Sequence, residues 1–472
     1  MKKKFVPQKI DETFRLGKIE MGGYAFGDLA GQTLINFVST FFLLFCTDYL
    51  GIAPAAAGTI FLVARLWDAI NDPMMGTLAD RTRTRFGSYR PWIAIGAPIV
   101  FVTFILMFTK INGGNAGTYL LWAYVAYLLY GTAATITGVP YGAITNVTTL
   151  NPRDRSLLGV VRDYGANIAG FLVSTFGTAL VIHFSGVGDG KTMTAKGFQT
   201  VAIIAAIFAL ICYYVVFFTQ RERIEPPKST VGFFKGLKVT FKNKAAVCLL
   251  LMGFCFNMAI QFKANMTAYY CINVMGSPVH IGTLLTLVYT LPLIGLLFVP
   301  KLMQVFERRT FLSAAGILTV ISGVISLVGG ANFVAQIISS GFLGLALSCT
   351  FALIWGTMPD AIDDGEIKTG QRAPGVTYAM GTFMIKAAAG LSSFVAGWIL
   401  TWIHYNADLA EQTAETLSGM STWYGVYPII WGVLMFIFSR LYKLTRKDVE
   451  ANAVILAKKR EEERLEDMSS EK

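Results

Sequence analysis

The sequence predicts an all-α membrane protein with twelve transmembrane helices arranged as two bundles of six. Its composition, the length of its apolar runs and the placement of its basic residues all support this prediction. Apolar residues make up 54% of the 472 residues and charged residues only 15%. A soluble domain carries roughly 25% charged residues, because its surface must face water. The mean hydropathy of +0.54 therefore argues against a soluble globular domain.

Each predicted span is a run of about 20 mostly apolar residues, the length that crosses the hydrocarbon core as a helix. The polar N-terminal segment precedes a first run long enough to span the membrane, so we expect no cleaved signal peptide. In chain order the predicted spans cover residues 22–48, 53–79, 91–110, 117–146, 158–184, 199–219, 245–273, 279–303, 309–328, 332–357, 374–402 and 422–442.

Basic residues concentrate in the loops that follow even-numbered spans, such as Arg83 and Arg90 after span 2 and Arg153 after span 4. Loops rich in Lys and Arg stay in the cytoplasm. The pattern therefore predicts that both termini are cytoplasmic. The same pattern attributes the net charge of +11 to the orientation of the chain in the membrane. We therefore do not expect nucleic acid as a partner.

The longest internal polar segment divides the chain into two halves. We predict a first six-helix bundle over residues 1–220, a central cytoplasmic loop over 221–244, a second bundle over 245–442 and a cytoplasmic tail over 443–472. Two six-helix halves joined by a cytoplasmic loop resemble a major-facilitator transporter, whose substrate site lies between the halves near the midplane.

Predicted span 2 carries the densest set of charges in any apolar segment. Asp68 and Asp72 are spaced i,i+4 and share one helix face, with Asn71 beside them and Arg65 one turn earlier. Two carboxylates and an amide oxygen suit a small monovalent cation such as Na⁺. The two acids could instead share a proton, because adjacent carboxylates resist ionising together. A third interpretation is that Arg65 only neutralises Asp68, which would leave Asp72 unpaired.

Charged residues deep in the bilayer cost about 3 kcal/mol or more unless they are paired or hydrated. Lys386 lies near the middle of span 11, too deep for its ammonium to reach the interface, whereas Arg162 and Asp28 lie nearer the cytoplasm, where snorkelling explains them equally well. We assign no role to Lys263. The predicted intramembrane acids are Asp28, Asp68, Asp72 and Asp163, and the bases are Arg65, Arg162, Lys263 and Lys386. A balanced set of this kind can be biased by one added cation.

Two charged segments between spans are predicted to form cytoplasmic latches that break when the halves rock. The first follows span 2 and the second follows span 10. For any single residue, an ordinary solvated loop charge is the simpler interpretation. The candidate latch residues are Asp80, Arg81 and Arg85 in the first segment, and Asp363, Glu366 and Arg372 in the second.

Several motifs together resemble the glycoside–pentoside–hexuronide:cation symporters, the family that includes the melibiose carrier. The resemblance spans nearly the whole chain, and the run at 64–73 is its most specific part. The motifs are Tyr24-Ala25-Phe26-Gly27-Asp28, Cys46-Thr47-Asp48, the run at 64–73, the loop at 85–92 and the segment at 364–372. The resemblance implies a multi-pass carrier of the bacterial cytoplasmic (inner) membrane that moves a sugar together with Na⁺, Li⁺ or H⁺.

The resemblance also implies site residues. Asp68, Asn71 and Asp72, with Thr135 from span 4, would form the cation site. Asp28, Arg162 and Lys386 would line the sugar site, with Lys386 close enough to link the two. Arg65 and Thr382 complete the predicted substrate contacts.

The sequence departs from the melibiose-type pattern on span 4, where Gly138 and Gly142 stand in place of an acid and a Trp. Melibiose itself is therefore not the expected substrate. Tyr141, with Phe351 or Trp355 from span 10, would supply the stacking face for the sugar. A uronide or another anionic sugar is our hypothesis at this stage, because Arg162 and Lys386 remain while the acid is lost.

Two alternatives stay open: a transporter of lipid-like or other organic anions on the same fold, and a sugar sensor that does not transport. The sequence contains no Ser/His/Asp set, HExxH motif or P-loop, so we expect neither an enzyme nor a cofactor. The expected partners are a small sugar and the lipid bilayer. The six cysteines lack metal-ligand spacing and are interpreted as small buried residues.

Overall fold

The computed structural model describes residues 13–224, 233–371, 374–409, 411–456 and 458. These residues form long α-helices connected by short loops. In chain order the helices are α1 (Lys18–Leu44), α2 (Pro54–Arg81), α3 (Arg90–Met107), α4 (Ala116–Ala143), α5 (Thr145–Thr148), α6 (Pro152–Ser185), α7 (Ala195–Thr219), α8 (Phe233–Lys242), α9 (Lys244–Tyr269), α10 (Val279–Val305), α11 (Arg308–Gly329), α12 (Phe333–Thr369), α13 (Pro374–Trp402) and α14 (Ala414–Leu441).

Ten helices in the described part of the chain are long and apolar enough to cross a membrane. Helices α2 and α10 also stand at predicted spans but fall outside this group. In α2 the reason is its charge, since Arg65, Asp68 and Asp72 interrupt the apolar run. In α10 the apolar stretch over the fully described residues is Val279–Gly295. The count of twelve spans therefore stays a prediction.

Several helix ends differ from the predicted spans. Helix α6 begins at Pro152 instead of 158, because the Asn151 side chain accepts hydrogen bonds from the first free backbone N–H groups. Helix α12 continues to Thr369 instead of ending at 357, so the second latch segment is largely helical and not a loop. The predicted central loop contains α8, a ten-residue helix that packs on α9, α12 and α13.

Each half packs around its first long helix. In the first half α1 lies against α6 and α7, while α3 packs on α4 and α7. In the second half α9 lies against α12, α13 and α14, and α11 packs on α12 and α14. The glycines Gly316 and Gly323 let α11 approach the α14 backbone closely, as small residues do between membrane helices.

The two halves meet through three helix pairs, namely α1 with α9, α2 with α13 and α6 with α10. The contacts lie toward one end of the bundle. On α2 they run from Pro54, which faces Gly397, to Asp72, which reaches Lys386. On α6 they involve Gly170, Ser174 and Thr175, in the C-terminal half of the helix. At the opposite end the cross-half hydrogen bonds cease among the described residues, so the halves enclose a cleft that opens on that side.

The packing of α1 on α6 gives a direct test of this arrangement. A Cβ atom at Gly165 would clash with the backbone carbonyl of Ala25, whereas a Cβ atom at Gly159, on the same helix, would meet open space. We expect Gly165→Ala to destabilise the protein by about 1–3 kcal/mol through overpacking. Gly159→Ala should be neutral or stabilising, because alanine favours a helix more than glycine does. Thermal unfolding of both purified variants in detergent measures the difference, and equal melting temperatures would contradict the packing described.

Candidate functional site

The charged side chains on α2 are arranged as their i,i+3 and i,i+4 spacings predict. The Arg65 guanidinium donates to Asp68 Oδ2 at 2.8 Å, and its other terminal nitrogen lies 3.4 Å from the Tyr127 hydroxyl. The Asp68 side chain is only 8% exposed. The pairing that was one of our interpretations of Arg65 is therefore present, and the ion pair lies inside the protein.

The carboxylate of Asp72 is bound from two directions. The Thr135 hydroxyl on α4 donates to Oδ1 at 2.8 Å, and the Lys386 ammonium on α13 donates to Oδ2 at 2.5 Å. The suggestion that Asp72 lacks a partner is therefore wrong. Lys386 lies 314 residues away in the chain and belongs to the other half, so helix spacing could not reveal the pair.

Two further polar groups lie beside these carboxylates. The Asn71 amide nitrogen is buried and has no hydrogen-bond partner among the described residues. Pro73 stands inside α2 and has no N–H to donate, so it frees the carbonyl oxygen of Ala69 one turn earlier. Sequence reasoning missed that carbonyl, although a proline within a charged apolar run was a usable signal.

The two carboxylates differ in their access to water. Both oxygens of Asp72 are occupied, yet its side chain is 25% exposed and that of Lys386 is 32% exposed. Asp68 is more deeply buried. Asp72 is therefore more accessible to water than Asp68, whose charge is balanced by Arg65.

A second polar cluster joins α1, α4 and α6. Arg162 Nε donates to Asp28 Oδ2 at 2.8 Å, and the Arg162 side chain is 44% exposed. The exposed Arg162 guanidinium therefore faces water and not lipid, which would disfavour its charge. The predicted Asp28 and Arg162 are thus brought together, with their hydrogen-bonding edges available to a solute.

Tyr141 does not present a free face to the cleft. It is 3% exposed and stacks on Tyr24 with ring centroids 4.7 Å apart, and its hydroxyl donates to the Tyr24 carbonyl at 2.8 Å. Its predicted stacking role is therefore wrong for this conformation, since Tyr24 covers the ring. Its neighbours Gly138 and Gly142 face open space.

The second half contributes an aromatic pair. Trp355 on α12 stacks on Tyr378 of α13 with centroids 5.9 Å apart and an interplanar angle of 10°. Thr382, one turn beyond Tyr378, is exposed and lies one turn before Lys386. Tyr378 was not among the predicted residues. The side chain of Phe351 lies outside the part of the structure that is described.

Lys263 does not belong with the other intramembrane charges. It is 3% exposed and donates to Ser326 at 3.0 Å and Ser339 at 3.3 Å, and its ammonium lies 3.8 Å from the centre of the Tyr424 ring. The balanced charge count is therefore wrong, because this base serves a separate cluster in the second half. Without Lys263, the four intramembrane acids are matched by three bases, Arg65, Arg162 and Lys386.

Two of the predicted latch residues, Asp80 and Arg85, contact their own half. The Asp80 carboxylate accepts from the Tyr89 hydroxyl at 2.6 Å, and the Arg85 guanidinium lies over the Phe86 ring. Arg81 is exposed. Asp363 and Glu366 lie on the last turns of α12, and Arg372 lies outside the described residues. A latch between the halves therefore stays a prediction for a conformation in which this end is closed.

Sequence reasoning missed a buried ionic cluster at the end of the first half. Glu222 accepts hydrogen bonds from the backbone N–H groups of Ser88, Tyr89 and Arg90, and so caps α3. The neighbouring Arg223 forms a bidentate pair with Glu20 at 2.7 and 2.9 Å. The residues after α7 are therefore fixed to the first bundle, although their polar sequence is typical of a loop.

Known proteins that resemble this chain agree with the fold described above. A family model described as MFS/sugar transport protein matches residues 23–446. The chain is 30% identical to the isoprimeverose transporter of Lactiplantibacillus pentosus, over 95% of this chain and 93% of that protein. It is also 30% identical to the putative glycoside/cation symporter YagG of Escherichia coli strain K12, over 93% of this chain and 94% of that protein. A crystal structure of a mutant nucleoside transporter NupG superposes with a TM-score of 0.66 at 13% identity, over 90% of this chain and 100% of that one. This likeness shows the fold and confirms the predicted fold class.

The two ion pairs of α2 should respond differently when the base is removed. Arg65→Met leaves the buried Asp68 carboxylate without a counter-charge, which costs about 3–5 kcal/mol. Lys386→Met leaves the Asp72 carboxylate without its base, but water in the cleft hydrates that carboxylate. The loss of stability should therefore be smaller. Thermal unfolding in detergent measures both, with Arg81→Met as an exposed control and Arg65→Met/Asp68→Asn as the rescue. A Lys386→Met loss equal to that of Arg65→Met would contradict the difference in burial.

Proposed function

Because the chain belongs to the MFS/sugar transport protein family and is a sugar-type membrane transporter rather than an enzyme, we propose that it is a secondary active symporter. It couples inward movement of a monovalent cation to uptake of a glycoside, by alternating access of one cleft to the two sides of the membrane. Na⁺ is the proposed ion, with Li⁺ and H⁺ as the competing candidates.

The bond between Lys386 and Asp72 is the observation that carries this proposal. The tethered ammonium occupies an Asp72 oxygen that a cation bound by Asp68, Asn71, Asp72 and Thr135 would also use. An entering ion therefore competes with Lys386 for Asp72. Because Lys386 belongs to the second half, its release changes how the halves are held together. Ion binding is thereby linked to the movement that transports the solute.

The charges around the cleft also favour a cation. With Lys263 removed from the set, Asp28, Asp68, Asp72 and Asp163 face three bases, and one negative charge is left over. Asp163 lies next to Arg162 on α6, and within the described residues its carboxylate pairs with no other base. One monovalent cation would neutralise the cleft, which supports ion binding before the halves rearrange.

The oxygen atoms near α2 suit Na⁺ or Li⁺. The carboxylates of Asp68 and Asp72, the Thr135 hydroxyl, the Asn71 amide oxygen and the freed Ala69 carbonyl are all hard ligands. The unpartnered Asn71 amide nitrogen fits this role, since its amide oxygen would turn toward an ion. Binding of a proton, by contrast, would require only one of the two carboxylates.

The second cluster supports a neutral glycoside over the uronide hypothesis stated from the sequence. The charge of Arg162 is balanced by Asp28 at 2.8 Å, so the pair offers donors and acceptors for sugar hydroxyls without net positive charge. The stacked Trp355 and Tyr378 provide an aromatic surface for a sugar ring. The name of the isoprimeverose transporter agrees with a neutral glycoside. A lipid-like solute would leave these polar groups without partners.

The cleft is open at one end only, and this defines the conformation of the molecule. The end that holds Pro54 and Gly397 is closed, and the opposite end, near Arg81, is open. With the predicted orientation, the open end faces the cytoplasm and the molecule is inward-open. Lys386 would then hold Asp72 in the state from which the ion and the sugar have left.

Asp72→Asn should abolish cation-stimulated uptake, because it removes both the ion ligand and the partner of Lys386. Uptake is measured in cells expressing the protein, with a radiolabelled glucoside, xyloside and glucuronide, each with and without Na⁺. The loss should exceed tenfold, while membrane insertion and melting temperature stay near wild type. Asp189→Asn, in the loop after α6, serves as the matched acid-to-amide control and should transport normally.

Two results would overturn parts of this proposal. Full Na⁺-dependent accumulation by Asp72→Asn would remove the cation site from α2. A preference of the wild-type protein for the glucuronide over both neutral glycosides would rule out the balanced Asp28 and Arg162 pair as the reason for specificity.

A further inference from the structure

The first helix of each half ends in the same unusual way. Helix α1 runs into a π-helical turn at Phe45–Tyr49, and α9 runs into one at Tyr270–Val274. In both, the residue that follows the turn donates its N–H to the carbonyl of the first residue of the turn, at 3.1 Å. A glycine with a φ of 67° or 68° comes next, Gly51 in one half and Gly276 in the other. Single π-helical turns are rare and concentrate at functional sites.

The first turn meets the end of α9 at the closed end of the cleft. The Thr47 hydroxyl in the first turn lies 2.7 Å from the hydroxyl of Tyr269, the last residue of α9. The neighbouring Asp48 carboxylate accepts from Thr47 at 2.6 Å. Tyr405, just after α13, donates to both Asp48 oxygens at 3.0 Å. We name Thr47, Asp48, Tyr269 and Tyr405 the outer latch, and two of them belong to each half.

The outer latch is built from hydroxyl donors and one carboxylate. In the described part of the chain, Asp48 pairs with no basic side chain. Burial, together with the hydrogen bond to Asp48, raises the pKa of Tyr405, so its hydroxyl remains a donor at physiological pH. A buried carboxylate without a counter-charge gains hydration when water reaches it. The hydroxyl bonds favour closure, and hydration of Asp48 favours opening.

We propose that the outer latch holds the two halves together at the closed end and sets the balance between the two orientations of the cleft. The first π-turn carries the contact because it places Thr47 and Asp48 at the tip of the first bundle, against Tyr269 at the end of α9 and Tyr405 after α13. The role of the outer latch as a gate to the outer side of the membrane rests on the proposed function and the predicted orientation. That it holds this end closed rests on the four side chains alone.

The test measures the distance between the tips of the two halves and needs neither sugar nor ion gradient. Spin labels are attached at Asn112→Cys and Ala331→Cys, which are exposed loop positions at the closed end, one in each half. Cys349 is replaced by Ser, since the other five cysteines are buried. Double electron–electron resonance on the full-length protein in detergent should show one main distance. Tyr405→Phe and Thr47→Val should each raise the population at a longer distance about fivefold, the effect of one lost hydrogen bond.

Tyr424→Phe is the matched control. It removes a buried tyrosine hydroxyl that lies 2.9 Å from Thr267 within the second half, and its distance distribution should equal that of the parent. If one of the variants Tyr405→Phe and Thr47→Val fails to fold, the other still tests the latch. Unchanged distances in folded Tyr405→Phe and Thr47→Val would overturn the proposal, as would an equal shift in Tyr424→Phe. Either result leaves the symport proposal intact, because that proposal is judged by uptake.

Discussion

The contact between Asp72 and Lys386 is the interaction on which the rest of this structure depends. Hydrocarbon does not tolerate an unpaired charge, so every intramembrane acid needs a base, water or an ion. Arg65 satisfies Asp68 from within the same helix, whereas Asp72 finds its base only on the other half of the molecule. Its protein base is therefore available only while α2 and α13 stay together, which connects the chemistry of one carboxylate to the relative position of two bundles.

The same dependence explains the distribution of the other contacts. The halves join through α2 with α13, α6 with α10 and α1 with α9, and these contacts lie toward one end. Lys386 and Asp72 lie at the boundary between the joined and the open parts. The outer latch lies farther toward the closed end, and the exposed Arg162 pair lines the open cleft. Rocking of the halves would therefore change the surroundings of the ion site more than those of the buried Lys263 cluster.

Much of the fold could be predicted from the sequence, because apolar runs and the placement of basic loops follow directly from the bilayer. The family resemblance predicted from the motifs is confirmed by the family match over residues 23–446. Within one helix, the spacing of Arg65 and Asp68 was enough to indicate their pair. The link from Asp72 to Lys386, the covering of Tyr141 by Tyr24 and the isolation of Lys263 depend on helices far apart in the chain. Helical periodicity carries no information on such contacts. Local capping was also missed, so α6 and α12 proved longer than their apolar runs.

The central claim is that a cation and the sugar bind in a linked way because the cation displaces Lys386 from Asp72. The most direct measurement is the dissociation constant of a neutral glycoside for the purified protein, determined by calorimetry at increasing Na⁺ and constant ionic strength. Linked binding predicts at least a fivefold tighter sugar affinity at saturating Na⁺, the lower end of usual coupling free energies. In Lys386→Met that enhancement should disappear. A sugar affinity independent of Na⁺, Li⁺ and pH in the wild-type protein would contradict the claim.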